Sequence, residues 1–318
     1  MTLRALAAFL GRRLLGLVLL LLIISFLVFS LIYLAPGNLV DALLGTGEKS
    51  PQLVAAIEAR YHLDQPFMVQ YLLWLKDAVQ LDFGTSIKLN ESVTAVLADR
   101  MSVTLFLGVF GFLVAVVCGL ALGIAAALRR GTSVDRGAVG LAVLGVSTPT
   151  FATGLILLWV FGILLGWFPV IGDGDPTFSD RLWHLTLPAI ALGVTGTALM
   201  AKMTRAALIA GYEQDYVGFA RSRGVGGLRI LLVYGLRNSL VPIVTAAGMV
   251  ITATLTGSVL IEQTFSLKGV GELLISSINN KDIPVVQATT ILVAVLVVVV
   301  NLLVDLSYFA IDPRTRRA

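Results

Sequence analysis

The chain carries two histidines, His62 and His184, and a single cysteine, Cys118. One thiol excludes an intrachain disulfide and a thiolate metal cluster, and two histidines leave little for an imidazole-based metal site. Gly45-Thr46-Gly47-Glu48-Lys49-Ser50 has the lysine–serine end of a phosphate loop. Glu48, however, stands where a glycine must precede the lysine, the first glycine is missing, and no buried strand leads in. No ATP site is expected here. Asp305, one turn after Asn301, falls in an apolar stretch, and an ionisable group inside a membrane segment is a functional candidate by default. Its place near the end of that stretch also fits a structural hydrogen bond or a basic partner. An intramembrane protease would need a serine–histidine pair or two aspartates at one depth. Asp305 is the one carboxylate that reads as buried, and neither histidine falls mid-segment. His184, beside Trp183, reads as interfacial, and His62 as a surface residue.

With so little polar chemistry, the composition decides the class. Of the 318 residues, 57% are hydrophobic and 13% charged. Soluble domains run near half apolar and about a quarter charged, so the charge deficit excludes an ordinary soluble enzyme, a nucleic-acid-binding domain and a disordered chain. A spanning helix needs about 20 apolar residues. Six segments qualify: Leu14–Leu34, Val103–Leu128, Ala138–Leu165, Leu185–Thr204, Val241–Ile261 and Val286–Leu306. The first exceeds the apolar run of a signal peptide and reads as a retained anchor. The third is interrupted by Ser147-Thr148-Pro149, where a kink is expected. Pro188, Pro242 and Pro284 are expected at or near helix starts, where a missing N–H costs little. The fold class is an all-α integral membrane protein of six spans.

Basic residues orient it. With the N-terminus inside, 15 of the 23 lysines and arginines fall on the cytoplasmic side, and five of the other eight sit in one long loop that weighs little. Both termini are therefore predicted to be cytoplasmic. The boundaries that follow are residues 1–34 for the N-terminus and first helix, 35–102 for a long extracytoplasmic loop, 103–309 for a five-helix core, and 310–318 for a cytoplasmic tail. Inside the outer loop two helical patterns start at Pro51 and Pro66, the second with Phe67, Tyr71, Leu75 and Val79 on one face, predicting a cap on the outer membrane surface.

The core carries three patterns. Gly111, Ala115, Gly119 and Gly123 recur every four residues on one face, a spacing that lets helix backbones approach closely, within the subunit or against a partner. Thr245, Thr252 and Thr256 share a face of the fifth span. They could line a wet, uncharged path, as could Ser147, Thr148 and Thr153, or bond back to helical carbonyls. Between about residues 205 and 240 lies a cytoplasmic loop in which Asp215 suits a helix start, Arg221 and Arg223 its last turn, and Gly224 a left-handed stop. Helix, glycine, helix and then a proline at a membrane entry is more order than a positive-inside loop requires.

This loop resembles the EAA loop of permease subunits in binding-protein-dependent ABC importers. Asp215-Tyr216-x-x-x-Ala220-Arg221-x-x-Gly224 and Leu236-Arg237-Asn238-x-Leu240-x-Pro242 are similar to the branch that imports dipeptides, oligopeptides and nickel. So are Leu63-Asp64-Gln65-Pro66, Asp82-Phe83-Gly84-x-Ser86, Asn301 to Asp305, and Asp312-Pro313-Arg314. The resemblance covers nearly the whole chain, in order. Two places depart from it: Glu213 is displaced from the family's acidic position, and Pro36-Gly37-Asn38-Leu39 replaces Pro-Gly-Asp-Pro. The resemblance implies a type I importer permease of a bacterial inner membrane, the first of a pair, with Asp215, Tyr216, Ala220, Arg221, Arg223 and Gly224 engaging a cytoplasmic ATPase. It implies a second, related permease, two ATPases holding ATP and magnesium, and an extracytoplasmic binding protein. This chain would hold no cofactor and catalyse nothing. Peptides are the expected cargo and nickel or a metal chelate the alternative; a membrane-embedded hydrolase is the rival from another class.

In a Cys118→Ala background, Lys88→Cys and Lys268→Cys should react with an impermeant thiol reagent added outside intact cells. Arg223→Cys and Arg316→Cys should react only after permeabilisation. External labelling of Arg223→Cys would overturn the topology.

Overall fold

A computed structural model describes residues 3–34 and 51–311. The phosphate-loop-like run at residues 45–50, the turn at 36–39 and the terminal 312–318 lie outside them. Among the described residues all regular structure is helical, apart from one isolated antiparallel bridge between Thr85 and Ser92. The helices are α1 (Leu3–Leu34), α2 (Pro51–Tyr61), α3 (Phe67–Val79), α4 (Val93–Leu128), α5 (Ser133–Ser147), α6 (Thr150–Leu157, continued by wide π turns over Leu158–Leu164), α7 (Phe178–Tyr212), α8 (Asp215–Ser222), α9 (Leu240–Thr264), α10 (Val270–Asn279) and α11 (Ile283–Ile311). A short lead-in, Gly227 to Ser239, precedes α9. Helices are what an apolar solvent demands, because each must satisfy its own backbone N–H and C=O groups.

Two boundaries differ from expectation. Helix α4 begins at Val93, ten residues before the apolar run, so the outer loop ends in helix. Helix α7 begins at Phe178 rather than near Leu185, which puts Pro188 inside it. There the proline withholds a bond from the His184 carbonyl, a loss that a spanning helix packed on its neighbours tolerates. Pro242 and Pro284 fall in the first turns of α9 and α11, as expected.

The chain divides into two units. One comprises residues 1–102 and 269–298. In it Phe26 and Phe29 of α1 pack against Phe67, Tyr71 and Trp74 of α3, and the Ser25 hydroxyl lies 2.9 Å from that of Tyr71. Trp74, not Val79, thus completes the packed face of α3; Val79 is exposed. A second core joins Val93, Val96 and Leu97 of α4 to Leu273, Val285 and Ala288. Beside it the loop after α3 is clasped to the α10–α11 turn. Ser86 donates to Asp282 Oδ2 at 2.5 Å, and Lys88 Nζ to Asn280 Oδ1 at 2.8 Å.

The other unit, residues 103–268 and 299–318, is built around α7. Buried residues occur all round this helix, among them Leu185, Leu187, Ala191, Leu192, Met200 and Leu208. Within the spanning window 61% of α7 is buried, against 17% of α1. Helix α4 reaches it through the small-residue face. A Cβ at Gly123 would lie 2.7 Å from the Ala201 carbonyl oxygen, and one at Gly111 3.0 Å from Leu192 Cδ2. From the other side a Cβ at Gly193 would lie 3.0 Å from the Gly111 carbonyl. The small-residue face of α4 thus lies against α7.

The interrupted third segment is two helices, α5 and α6, bent by 105°. Thr148 is extended and Pro149 opens α6, as the steric demand of a proline on its predecessor requires. The chain on either side of the pair reaches opposite ends of α7. Just before α5 and in its first turn, Gly131 and Asp135 meet Arg205 near the C-terminal end of α7. After α6, Asp175 N–H donates to Asp180 at the N-terminal end of α7, 2.6 Å away. Asp180 and Arg205 are 25 residues apart on one helix, roughly 37 Å at 1.5 Å per residue. A re-entrant hairpin would return to the end it left. The helices long and apolar enough to cross a membrane number five among the described residues, or six if this bent pair counts as one span.

Gly123→Leu should lower the stability of the purified chain in detergent by ~1–3 kcal/mol through overpacking against the α7 backbone. Gly137, where a Cβ meets no atom within 4 Å, should accept alanine without loss. Thermal unfolding of the two variants checks this, and equal stability would contradict the close approach.

Candidate coupling loop and passage

Helix α8 is short, and its ends are made locally. Gln214 enters in extended conformation, Asp215 occupies the first turn and Arg221 the last, both favourable to the helix dipole. Gly224 has φ +73°, the left-handed value its position predicts. The stop is a Schellman motif: Val225 N–H donates to the Ala220 carbonyl at 3.1 Å, and Gly224 N–H to that of Arg221 at 3.0 Å.

The helix is anchored on one side and bare on the other. Val217 and Ala220 are buried. Tyr216 stacks on Tyr234 in the lead-in to α9, and Asn238 Nδ2 donates both to the Tyr216 hydroxyl at 3.0 Å and to the Tyr234 carbonyl at 2.8 Å. The Arg221 guanidinium sits 5.7 Å from the centre of the Tyr212 ring, at the end of α7. Tyr216 and Arg223 are exposed, and so is Phe219, at 71%. Phe219 is not among the motif residues of this loop. A phenylalanine one residue before the buried Ala220, on so short a helix, is the signal that could have found it. Glu213 ends α7 instead of entering α8, and it pairs with Arg130 at 2.5 Å on the surface.

At the same end of α7, Asp135 is almost wholly buried and takes a bidentate grip from Arg205, 2.5 Å from Nε and 2.8 Å from an amino group. Gly131 N–H adds a third bond at 2.9 Å. Glu262 is fully buried in α9 and accepts from Thr104 at 2.8 Å. Asp305 is only half-buried. The expectation that it alone was a buried carboxylate is therefore wrong. Asp135 and Glu262 sit near segment ends, where a linear reading assigns them to water, and tertiary packing closes over them.

The threonine hydroxyls of α9 turn back on their own helix. Thr245 donates to Val241 at 2.8 Å, Thr252 to Gly248 at 3.0 Å and Thr256 to Thr252 at 3.1 Å. Thr148 does the same to Leu144 at 2.8 Å, and Ser147 is exposed beside it. Thr245, Thr252 and Thr256 still lie on the side of the helix that is not packed, whereas Thr254 is buried. Asp215, Tyr216, Ala220, Arg221, Arg223 and Gly224 lie together on and just after α8, whereas Ser147 and Thr148 stand apart at the α5–α6 break.

Among the described residues the chain is a bundle of long apolar helices with the short helix α8 between α7 and α9. The chain matches, over residues 119–317, the family described as binding-protein-dependent transport system inner membrane component, and over residues 6–108 the N-terminal component of such systems. It belongs to that family and is a permease component of an ABC importer. The glutathione transport system permease protein GsiC of Salmonella typhimurium (strain LT2) is 37% identical over 305 residues, covering 96% of this chain and 97% of its own. A putative peptide permease protein of Brucella suis biovar 1 is 38% identical over 313 residues, covering 96% and 98%. Among solved structures, a chain of the inward-facing MetNI methionine ABC transporter superposes with a TM-score of 0.57 at 17% identity, over 68% of this chain and 96% of that one, which shows a shared fold.

Gly224→Val forces a β-branched residue into the left-handed region, at a local cost of about 1 kcal/mol or more. Substrate-stimulated ATP hydrolysis by the assembled importer should fall while the membrane helices survive. Normal stimulation in the purified Gly224→Val complex would count against a coupling role for α8.

Proposed function

We propose that this chain forms half of the passage of an ATP-driven peptide importer in a bacterial inner membrane, with both termini in the cytoplasm. The observation that carries the reading is α8: a capped helix held from behind by Tyr234, Asn238 and Tyr212, with Phe219 and Tyr216 presented outward. An exposed aromatic on a rigid stub is what a partner's groove can grip. Closure of two cytoplasmic ATPases would displace α8. Its ties to the end of α7 and to the lead-in of α9 would carry that displacement into the two helices at the centre of the bundle.

Peptide cargo is supported by relatives named for glutathione and peptide transport, and by the lack of any charged residue on the unpacked side of α9. The other half of the passage is a second, related permease. ATP and magnesium are held by the two ATPases, and an extracytoplasmic binding protein selects the cargo. This chain alone is neither an enzyme nor a transporter.

Vesicles holding this chain, its partner permease, both ATPases and the binding protein should accumulate glutathione or short peptides only with ATP on the ATPase side. A nickel chelate should neither accumulate nor compete. Accumulation by vesicles holding this chain alone, or an active complex with two copies of it and no second permease, would refute the proposal.

A further inference from the structure

Helix α9 is enclosed by four neighbours and open along one strip. Close approaches surround it: Val250 on Gly196 of α7, Leu255 on Gly108 of α4, Ile261 on Gly154 of α6, and Val304 of α11 on Gly248. Ile243, Ala246, Val250, Thr254, Ser258 and Ile261 are buried accordingly. The strip left uncovered is Thr245, Met249, Thr252, Ala253, Thr256 and Leu260, residues that fall within about 100° of helix surface at 3.6 residues per turn. Met249 is 56% exposed, about 14 Å along a helix about 37 Å long.

Other exposed strips of the same unit set the comparison. On α4 the strip is Leu105, Val109, Leu113 and Val117, and on α11 it is Val299, Leu303 and Leu306. These are wholly aliphatic, as a surface bathed in acyl chains should be. The α9 strip instead mixes three threonines with Met249, Ala253 and Leu260. Its three hydroxyls are committed to their own helix, so they offer a passing solute only weak polar contact. A passage must bind its cargo weakly enough to release it. Met249 is the one large side chain between Thr245 and Thr256. Methionine is unbranched, has three rotatable bonds and makes polarizable contacts, so it adapts to partners of varied shape.

We propose that Met249 is the constriction of the passage, the side chain that an imported peptide's own side chains displace on the way through. This rests on the peptide-importer reading above. A mid-depth, self-adjusting thioether would seal the path when it is empty and yield to side chains of different size without selecting one.

The test uses the assembled importer in vesicles, with Cys118, exposed on α4, replaced by serine. The probe is a charged methanethiosulfonate. The thiolate attacks its sulfenyl sulfur and displaces methanesulfinate, and a thiol facing hydrocarbon forms no thiolate, so Met249→Cys should react at least about tenfold faster than Leu113→Cys. Met249→Cys should import glutathione before modification and lose import after it, whereas modified Leu113→Cys should keep it. Met249→Ala should raise uptake of a triphenylalanine peptide relative to triglycine, and Met249→Leu should leave that ratio unchanged. Met249→Cys as inert as Leu113→Cys, because lipid or the second permease covers the strip, would overturn the proposal. So would full import after modification, or an unchanged ratio in Met249→Ala. If the unsubstituted importer takes up no peptide, the importer reading itself fails; if it does and Met249→Cys is inert, only this inference fails.

Discussion

Close approach between the backbones of α4 and α7 is the constraint on which the second unit depends. In hydrocarbon there is no hydrophobic force pressing helices together, because lipid tails are as apolar as leucine. What remains is dispersion, weak polar contact and shape, all steep in distance. Gly111, Gly119 and Gly123 on one helix and Gly193 and Gly196 on the other remove the side chains that would hold the axes apart. Once α7 has α4 on one side, its remaining faces are open to α5, α6 and α9, and it becomes the post around which the bundle is arranged.

Polar groups at the ends of α7 complement this packing at its middle. Asp135 grips Arg205 at one end, and Asp180 receives Asp175 at the other. The α5–α6 pair is bent by 105° in between, a shape that no continuous hydrogen-bonded helix could hold. The bend is tolerable because the chain on both sides of it is tied to one helix. The same post also holds α8. Its last turn meets α8 through Tyr212 and Arg221, and α8 meets the lead-in of α9 through Tyr216, Tyr234 and Asn238. Helix α8 thus combines buried Val217 and Ala220 with an exposed Phe219 in a short length.

The side of α9 left unpacked explains why a permease can be so poor in chemistry. Its threonines spend their hydroxyls on their own carbonyls, so the unpacked strip is neither charged nor strongly hydrogen-bonding. Specificity and energy are then tasks for partners, in keeping with a family of binding-protein-dependent components.

Local rules were enough for several features of this chain. The charge deficit made it a membrane protein, apolar length gave its spans, Ser147-Thr148-Pro149 gave the break in the third, and Gly224 gave the left-handed stop after α8. Each follows from the steric or solvation behaviour of a few neighbouring residues. Position in the bundle was not legible in the same way. Pro188 reads as a helix start, because nothing in its neighbourhood announces that Phe178 to Leu187 are already helical. Gly111 to Gly123 form a packing face in the sequence, but only the fold names α7 as its partner. Glu262 and Asp135 look solvated until Thr104 and Arg205, 158 and 70 residues away, arrive beside them. A sequence records which groups can pack or pair; burial is a property of three-dimensional neighbours, and those were decided only when the helices met.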